Sequence, residues 1–485
     1  MVFSSIIFLY LFLPLTIALY FLVGKKLHNI LLLCASLLFY AWGEGFFVLV
    51  MLCSIVVNYF SGLLIEHFKE KPLSRFFFIA AVIFNLGLLS VYKYANFIVD
   101  NINCLLSLVH LKPIILDPVH LPIGISFFTF QAISYVIDVY RGQTAAQRNP
   151  ANMGLYIASF PQLIAGPIVR YHDVAKQIVE RTVTRKDFSE GVERFILGLG
   201  KKVLIANPVA VTVDKIFALP ANELTFSVAW LGAICYSIQV YFDFSGYSDM
   251  AIGLGRMFGF RFMENFNYPY ISKSIQDFWT RWHISLSSWI RDYLFFPIAL
   301  KRRRWGIWGM IYAIAITYSL IGLWHGACWT FVLWGMYHGL FMMIEQIGFS
   351  KVLNRLWHPV RIFYVNLVLF FSWPLFRSET LSDAMAYLLA MVGLGQADAP
   401  KHYIAFYLNI DGVLALIAGI IFAFPIYTLI RQTKENLVAK LKDKVSILVN
   451  DISAVTNTAT LALILVASVS SIASGSYNPF IYFRF

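Results

Sequence analysis

The chain has 485 residues, of which 59% are hydrophobic and 13% charged, and its mean hydropathy is +0.70. A soluble globular chain is about half apolar and about a quarter charged, so this composition excludes a water-covered globule and specifies a polytopic membrane protein. The net charge of +12 does not point to nucleic acid, because the basic residues cluster between apolar segments (Lys25 and Lys26, Lys69 to Arg75, Lys301 to Arg304, Arg431 to Lys444), as they do in cytoplasmic loops of membrane proteins.

The first apolar run, 5–23, is long enough to span a bilayer, follows no basic n-region and is followed by lysines. It reads as a transmembrane helix and not as a signal peptide. Further spans are expected at 29–43, 46–64, 76–93 and 121–140. Lys25 and Lys26 place the end of the first span inside, so the N-terminus is expected outside. The basic HFKEKPLSR, Arg141 and Arg148 agree with that frame.

Between 150 and 220 the pattern is broken by Pro161, Pro167, Pro208 and several glycines, which suggests re-entrant or broken helices. The basic stretch 170–203 reads as a pair of membrane-surface helices. A span at 225–243 leads into YFDFSGYSDMAIGLG, which carries Asp243 and Asp249 in apolar surroundings. Arginines such as Arg256, Arg281 and Arg291 are candidate partners for them.

The stretch IQDFWTRWHISLSSWIRDYLFFP is too polar and aromatic for a lipid-facing span. If it is helical, Trp279 and His283 share a face, as do Asp277 and Arg281. Two readings stand: a helix lining an internal aqueous cavity, or an interfacial helix with a tryptophan belt.

KRRR at 301–304 should be inside, so a span at 305–324 runs outward and one at 327–347 returns. Between them lies IGLWHGACWT. Ionisable groups at membrane depth mark functional sites by default, although a lone buried histidine is more often structural. His325 has Gly322 and Gly326 beside it, where another backbone or a substrate can come close, and Trp324 and Trp329 as apolar walls. A neutral imidazole there is suited to take a proton from a hydroxyl and return it to a leaving group. His338 lies further along, in GMYHGLFM. On one continuous helix it would be about 20 Å from His325, too far for a catalytic pair, and it reads as structural.

Spans at 362–376, 411–430 and 456–475 complete the set of about eleven. The segment 383–395 is read as interfacial, because a span there would put RQTKENLVAKLKDK outside. The closing NPFIYFRF is then extracytoplasmic. The five cysteines form no CxxC pair, there is no HExxH, and no metal site is expected. No GxSxG elbow, P-loop or dinucleotide fingerprint appears in a credible context.

An ordered set of segments resembles the membrane-bound O-acyltransferase (MBOAT) family, in the bacterial branch of the alginate O-acetylation protein AlgI and the D-alanyl transfer protein DltB. They are GISFFTFQAISYVIDVYRG, ASFPQLIAGPIVR, YFDFSGYSDMAIGLGRMFGF, NFNYPYISKSIQDFWTRWHISLSSWIRDYLFFP and GLWHGACWTFVLWGMYHG. The opening MVFSS and closing FIYFRF also look AlgI-like. IALKRRRWG departs, because AlgI-type members often carry a glycine- and asparagine-rich turn there.

The resemblance implies an all-α membrane bundle of about eleven helices around a central tunnel, with re-entrant or interfacial pieces. A single embedded domain is expected. It would comprise N-terminal helices over 1–140, broken and basic surface helices over 141–220, a catalytic core over 221–350 and C-terminal helices over 351–485. The implied activity is transfer of an acyl group, with acetyl expected, from a cytoplasmic donor such as acetyl-CoA. No tightly bound cofactor is expected. The acceptor would be an extracytoplasmic polysaccharide, reached with periplasmic relay proteins, from the bacterial inner membrane. The resemblance maps a catalytic base onto His325 and a second polar position onto His283. Trp279, Trp282, Arg281, Trp324, Gly326 and Asp277 are the expected tunnel and substrate residues. The alternative function is an ion- or proton-coupled transporter using Asp243, Asp249 and the histidines.

Overall fold

The computed structural model describes residues 2–395, 403–440, 443–475 and 477–479. The closing FIYFRF, and with it the expected placement of the C-terminus, lies outside the described residues. Among the described residues the chain is mainly helical, without strands.

Six helical runs are long and apolar enough to cross a membrane, or seven if the bent pair Ile410–Phe422 and Ile426–Val438 is one span. This is a multi-pass membrane protein. Several of the eleven expected segments are shorter than a span or fused to a neighbour. The first apolar run contains α1 (Leu13–Leu22). The segments 29–43 and 46–64 become α2 (His28–Glu44) and α3 (Val48–His67), which meet at Gly45, where φ is +55°. Next come α4 (Pro72–Leu89), α5 (Ala95–Leu108) and α6 (Ile125–Tyr140), the last only sixteen residues long and mostly buried.

Over 170–203, where a pair of surface helices is expected, the structure has two helices of different burial. Tyr171–Val179 is a short helix with one buried edge, but α7 (Arg185–Gly200) runs on through a π-helical turn to Phe217 as a largely buried run. It packs along α8 (Phe226–Met257), a 32-residue helix that is buried along almost its whole length. Glycines explain the closeness. A Cβ on Gly198 would sit 2.6 Å from the Gly246 carbonyl oxygen, and one on Gly253 would sit 2.6 Å from that of Gly191. In lipid, where apolar surfaces gain nothing by leaving water, such backbone contact is a main source of helix association.

The two intramembrane aspartates are fixed across this interface. Lys202 pairs with Asp243 at 2.7 Å, and Asp249 accepts from Arg194 at 2.6 Å and from Lys201 at 2.6 Å. None of the arginines anticipated from sequence is the partner. Arg256 pairs with Glu190, Arg281 with Asp277 and Arg291 with Asp292. Three of the basic residues of 170–203, Arg194, Lys201 and Lys202, are thus the partners of buried carboxylates.

The 275–295 segment is not one helix. α9 (Ile275–Arg281) stops at an extended Trp282, His283 takes a left-handed conformation (φ +44°), and α10 (Ile284–Ile290) restarts the helix. Trp279 and His283 therefore share no helical face. α11 (Ile307–His325) and α12 (Trp329–Ile344) form a hairpin, and α13 (His358–Arg377) packs beside α12. The expected interfacial segment contains a short apolar helix, Leu381–Met391.

Candidate active site

The α11–α12 hairpin is tight because its crossing uses glycine. A Cβ on Gly335 would lie 2.2 Å from the Tyr318 carbonyl oxygen, and one on Gly322 would lie 2.3 Å from that of Phe331. The close approach at Gly322 and Gly326 is therefore made by α12 and the Phe331 ring, which would be 2.2 Å from a Cβ on Gly326.

His325 is the last residue of α11 and is 8% exposed. Its imidazole meets Trp324, Trp334 and Phe376 edge-on, at centroid distances of 4.8, 4.9 and 5.3 Å. The expected wall residue Trp329 is elsewhere: it is 52% exposed and its Nε1 donates to the Asn101 Oδ1 at 3.0 Å. Trp334, one helical turn deeper in the bundle, takes its place.

On the other side His325 lines a cavity of about 320 Å³, together with Lys93, His120, Ser126, Phe127 and Trp324. Lys93 was not singled out by sequence. Its ammonium donates to the Trp324 carbonyl and, at 3.4 Å, to the His325 carbonyl, and it sits 5.6 Å over the Trp324 ring. A cation at a helix C-terminus satisfies carbonyls that have no helical partner and meets the negative end of the helix dipole. Lys93 thus fixes the end of α11 that carries His325. The only sequence signal was a lone lysine inside an apolar run, in SVYKYANF.

His283 is 1% exposed. Its Nδ1 lies 3.2 Å from the Asn265 Oδ1, which also accepts from the Ser285 hydroxyl at 2.9 Å, and its ring meets Phe244 at 4.5 Å. Asn265 in turn donates to Ser248 at 2.8 Å. A non-glycine residue at positive φ stores strain and persists only where its surroundings hold it. The Asn265–Ser285 network supplies that hold. His283, Lys93 and His338 all lie within electrostatic reach of His325.

The other anticipated residues divide. Trp279 joins the histidine cluster, with its ring 5.2 Å from His338 and 6.0 Å from Trp334. Trp324 walls the cavity and stacks on Phe130 at 5.3 Å. Trp282 packs between Phe266, Phe278 and Trp373, in the core behind His283. Asp277 and Arg281 bond to each other at 2.8 Å, and Asp277 accepts from the Lys273 backbone, so they brace the short helix α9. No group of three or more potential metal ligands is present among the described residues.

The profile of the membrane-bound O-acyltransferase family matches residues 143–373, a range that contains His283, His325 and His338. The chain is 43% identical to a Pseudomonas putida protein named "Probable alginate O-acetylase AlgI", over the whole of both sequences. The chain belongs to the membrane-bound O-acyltransferase family. This acyltransferase is also 35% identical to the peptidoglycan O-acetyltransferase of Helicobacter pylori, over 81% of the chain and 80% of that protein. It is 31% identical to the teichoic acid D-alanyltransferase of Bacillus subtilis, over 45% of the chain and 58% of that protein.

Proposed function

We propose that this acyltransferase moves an acetyl group from a cytoplasmic thioester donor, such as acetyl-CoA, to an extracytoplasmic polysaccharide of the alginate type. The transfer is direct or passes through a serine of a periplasmic relay protein. Identity over the full length to a relative named for alginate O-acetylation supports both the acetyl group and the acceptor class. The relative named for D-alanyl transfer matches less than half of the chain. The protein sits in the bacterial inner membrane, with the basic KRRR turn inside.

The observation that carries the reading is the position of His325. It closes α11 at the end away from the basic turn, is buried among aromatic rings, and faces the 320 Å³ cavity. Its neutral imidazole takes the proton of the attacking hydroxyl as the oxygen bonds to the thioester carbonyl carbon; the carbon–sulfur bond then breaks and the thiol leaves. His283, set by Asn265, adds a second polar group, and Lys93 keeps the end of α11 in place. Trp279 and Trp324 wall the route. The aspartates, which a transporter would need for its ions, are held in ion pairs between α7 and α8.

The test is to supply inside-out membrane vesicles carrying the full chain and its partners with radiolabelled acetyl-CoA. Label should appear as alkali-labile esters on acidic polysaccharide. Its absence from polysaccharide and from relay protein alike would overturn the reading.

A further inference from the structure

His338 is 0% exposed, and neither of its ring nitrogens has a hydrogen-bond partner in the protein. The large majority of buried polar side-chain atoms have at least one such bond, and the structural role suggested by sequence for His338 lacks that contact within the protein. The surroundings are equally unusual. The Trp279 and Trp334 indole nitrogens are also buried without a protein partner. The three rings are in mutual contact: His338 lies 5.2 Å from Trp279 and 4.9 Å from Trp334, and the two indoles are 6.0 Å apart.

An unpaired buried polar group is costly, because it loses its water without gaining a partner. Several in one cluster mark a place that receives polar atoms from outside the protein. The cluster adjoins the site, because Trp334 touches His325 at 4.9 Å as well as His338. The hairpin break at Gly326 makes this possible. α12 runs back beside α11, and Trp334 bridges His325 at the hairpin turn and His338 further along α12.

Thioester-to-hydroxyl transfer needs two proton movements. The attacking hydroxyl loses a proton, and the departing sulfur gains one when the carbon–sulfur bond breaks. His325 at the cavity accounts for the first. His338 lies part-way along α12, which runs back from the hairpin turn alongside α11.

We infer that His338 is a second proton-handling residue, linked to His325 by water held on the Trp279 and Trp334 indoles, and that it returns the hydroxyl's proton to the leaving thiolate. The proton passes from hydroxyl to His325, through water to His338, and on to sulfur, so no outside acid or base is consumed. This rests on the thioester donor proposed above.

The experiment uses inside-out vesicles of cells making the polysaccharide, with a series of small alkyl acetyl thioesters of graded thiol acidity; thiol release is followed. Wild type should release thiol throughout the series with a weak dependence on acidity. His338→Gln, which keeps hydrogen bonding but does not carry a proton at neutral pH, should be slower by on the order of a hundredfold with the least acidic thiol. It should approach wild type with the most acidic. His325→Ala should be slow throughout. Trp334→Phe, which keeps the packing and removes one N–H, should show the same steepening if His338→Gln fails to fold. Parallel dependences for wild type and variant, or no loss in the variant, would overturn the inference while the acyltransferase reading stands. No thiol release by wild type from any donor would instead sink the thioester reading itself.

Discussion

Gly335 lies against Gly322 so closely that a Cβ on Gly335 would sit 2.8 Å from the Gly322 backbone. That contact sets the α11–α12 hairpin and places His325, Trp334 and His338 together. Gly335→Leu should therefore separate the helices and remove acyl transfer along with thermal stability, at a cost of about 1–3 kcal/mol or more for overpacking. Gly24→Ala meets nothing within 4 Å and should be neutral. Unfolding temperature in detergent, measured for both, checks this.

Lys93 anchors the end of α11 through two carbonyls. Lys93→Met should leave those carbonyls unpaired, at about 1–3 kcal/mol, and loosen the residue that precedes Gly326. Acetyl transfer is expected to fall at least tenfold while the protein still inserts. Retention of full activity would show that the α11 terminus holds itself.

The Lys202–Asp243 pair predicts a non-additive pattern. Each buried partner removed alone should destabilise by about 3–5 kcal/mol, because a charge is stranded; Lys202→Met combined with Asp243→Leu should cost less than the sum. A double-mutant cycle on thermal unfolding reads this. Transport currents in reconstituted vesicles should be absent in wild type.

At His283 the left-handed backbone favours particular replacements. Asn tolerates positive φ better than Ala, so His283→Asn should fold more stably than His283→Ala. If the imidazole itself contributes to transfer, both should lose activity, and only the alanine variant should also lose stability. Equal stability of the two would mean that the φ of +44° carries no strain.

The apolar composition, the basic turns and the ordered motifs made the membrane fold and the family legible in sequence. The placement of His325 near a helix end was also legible, because the expected spans 305–324 and 327–347 leave it at the turn between them. Three things were not. Trp334 replaced Trp329 as the neighbour of His325, since which tryptophan faces inward depends on where α12 begins. The break at Trp282–His283 was invisible because nothing in FWTRWHISL disfavours a continuous helix; it is imposed by the Asn265 network from 18 residues earlier. The partners of Asp243 and Asp249 come from a helix that looked like a surface element, and only the reciprocal glycine contacts between α7 and α8 bring those basic residues inside.

The central claim is that His325 is the reacting base. The direct measurement is acetyl-ester content of the extracellular polysaccharide from cells expressing His325→Ala, beside His358→Ala at an exposed position, with membrane insertion and thermal unfolding checked for each. The account predicts wild-type folding for both, loss of esters by on the order of a hundredfold or more for His325→Ala, and no change for His358→Ala. Wild-type ester content in a folded His325→Ala protein would contradict it.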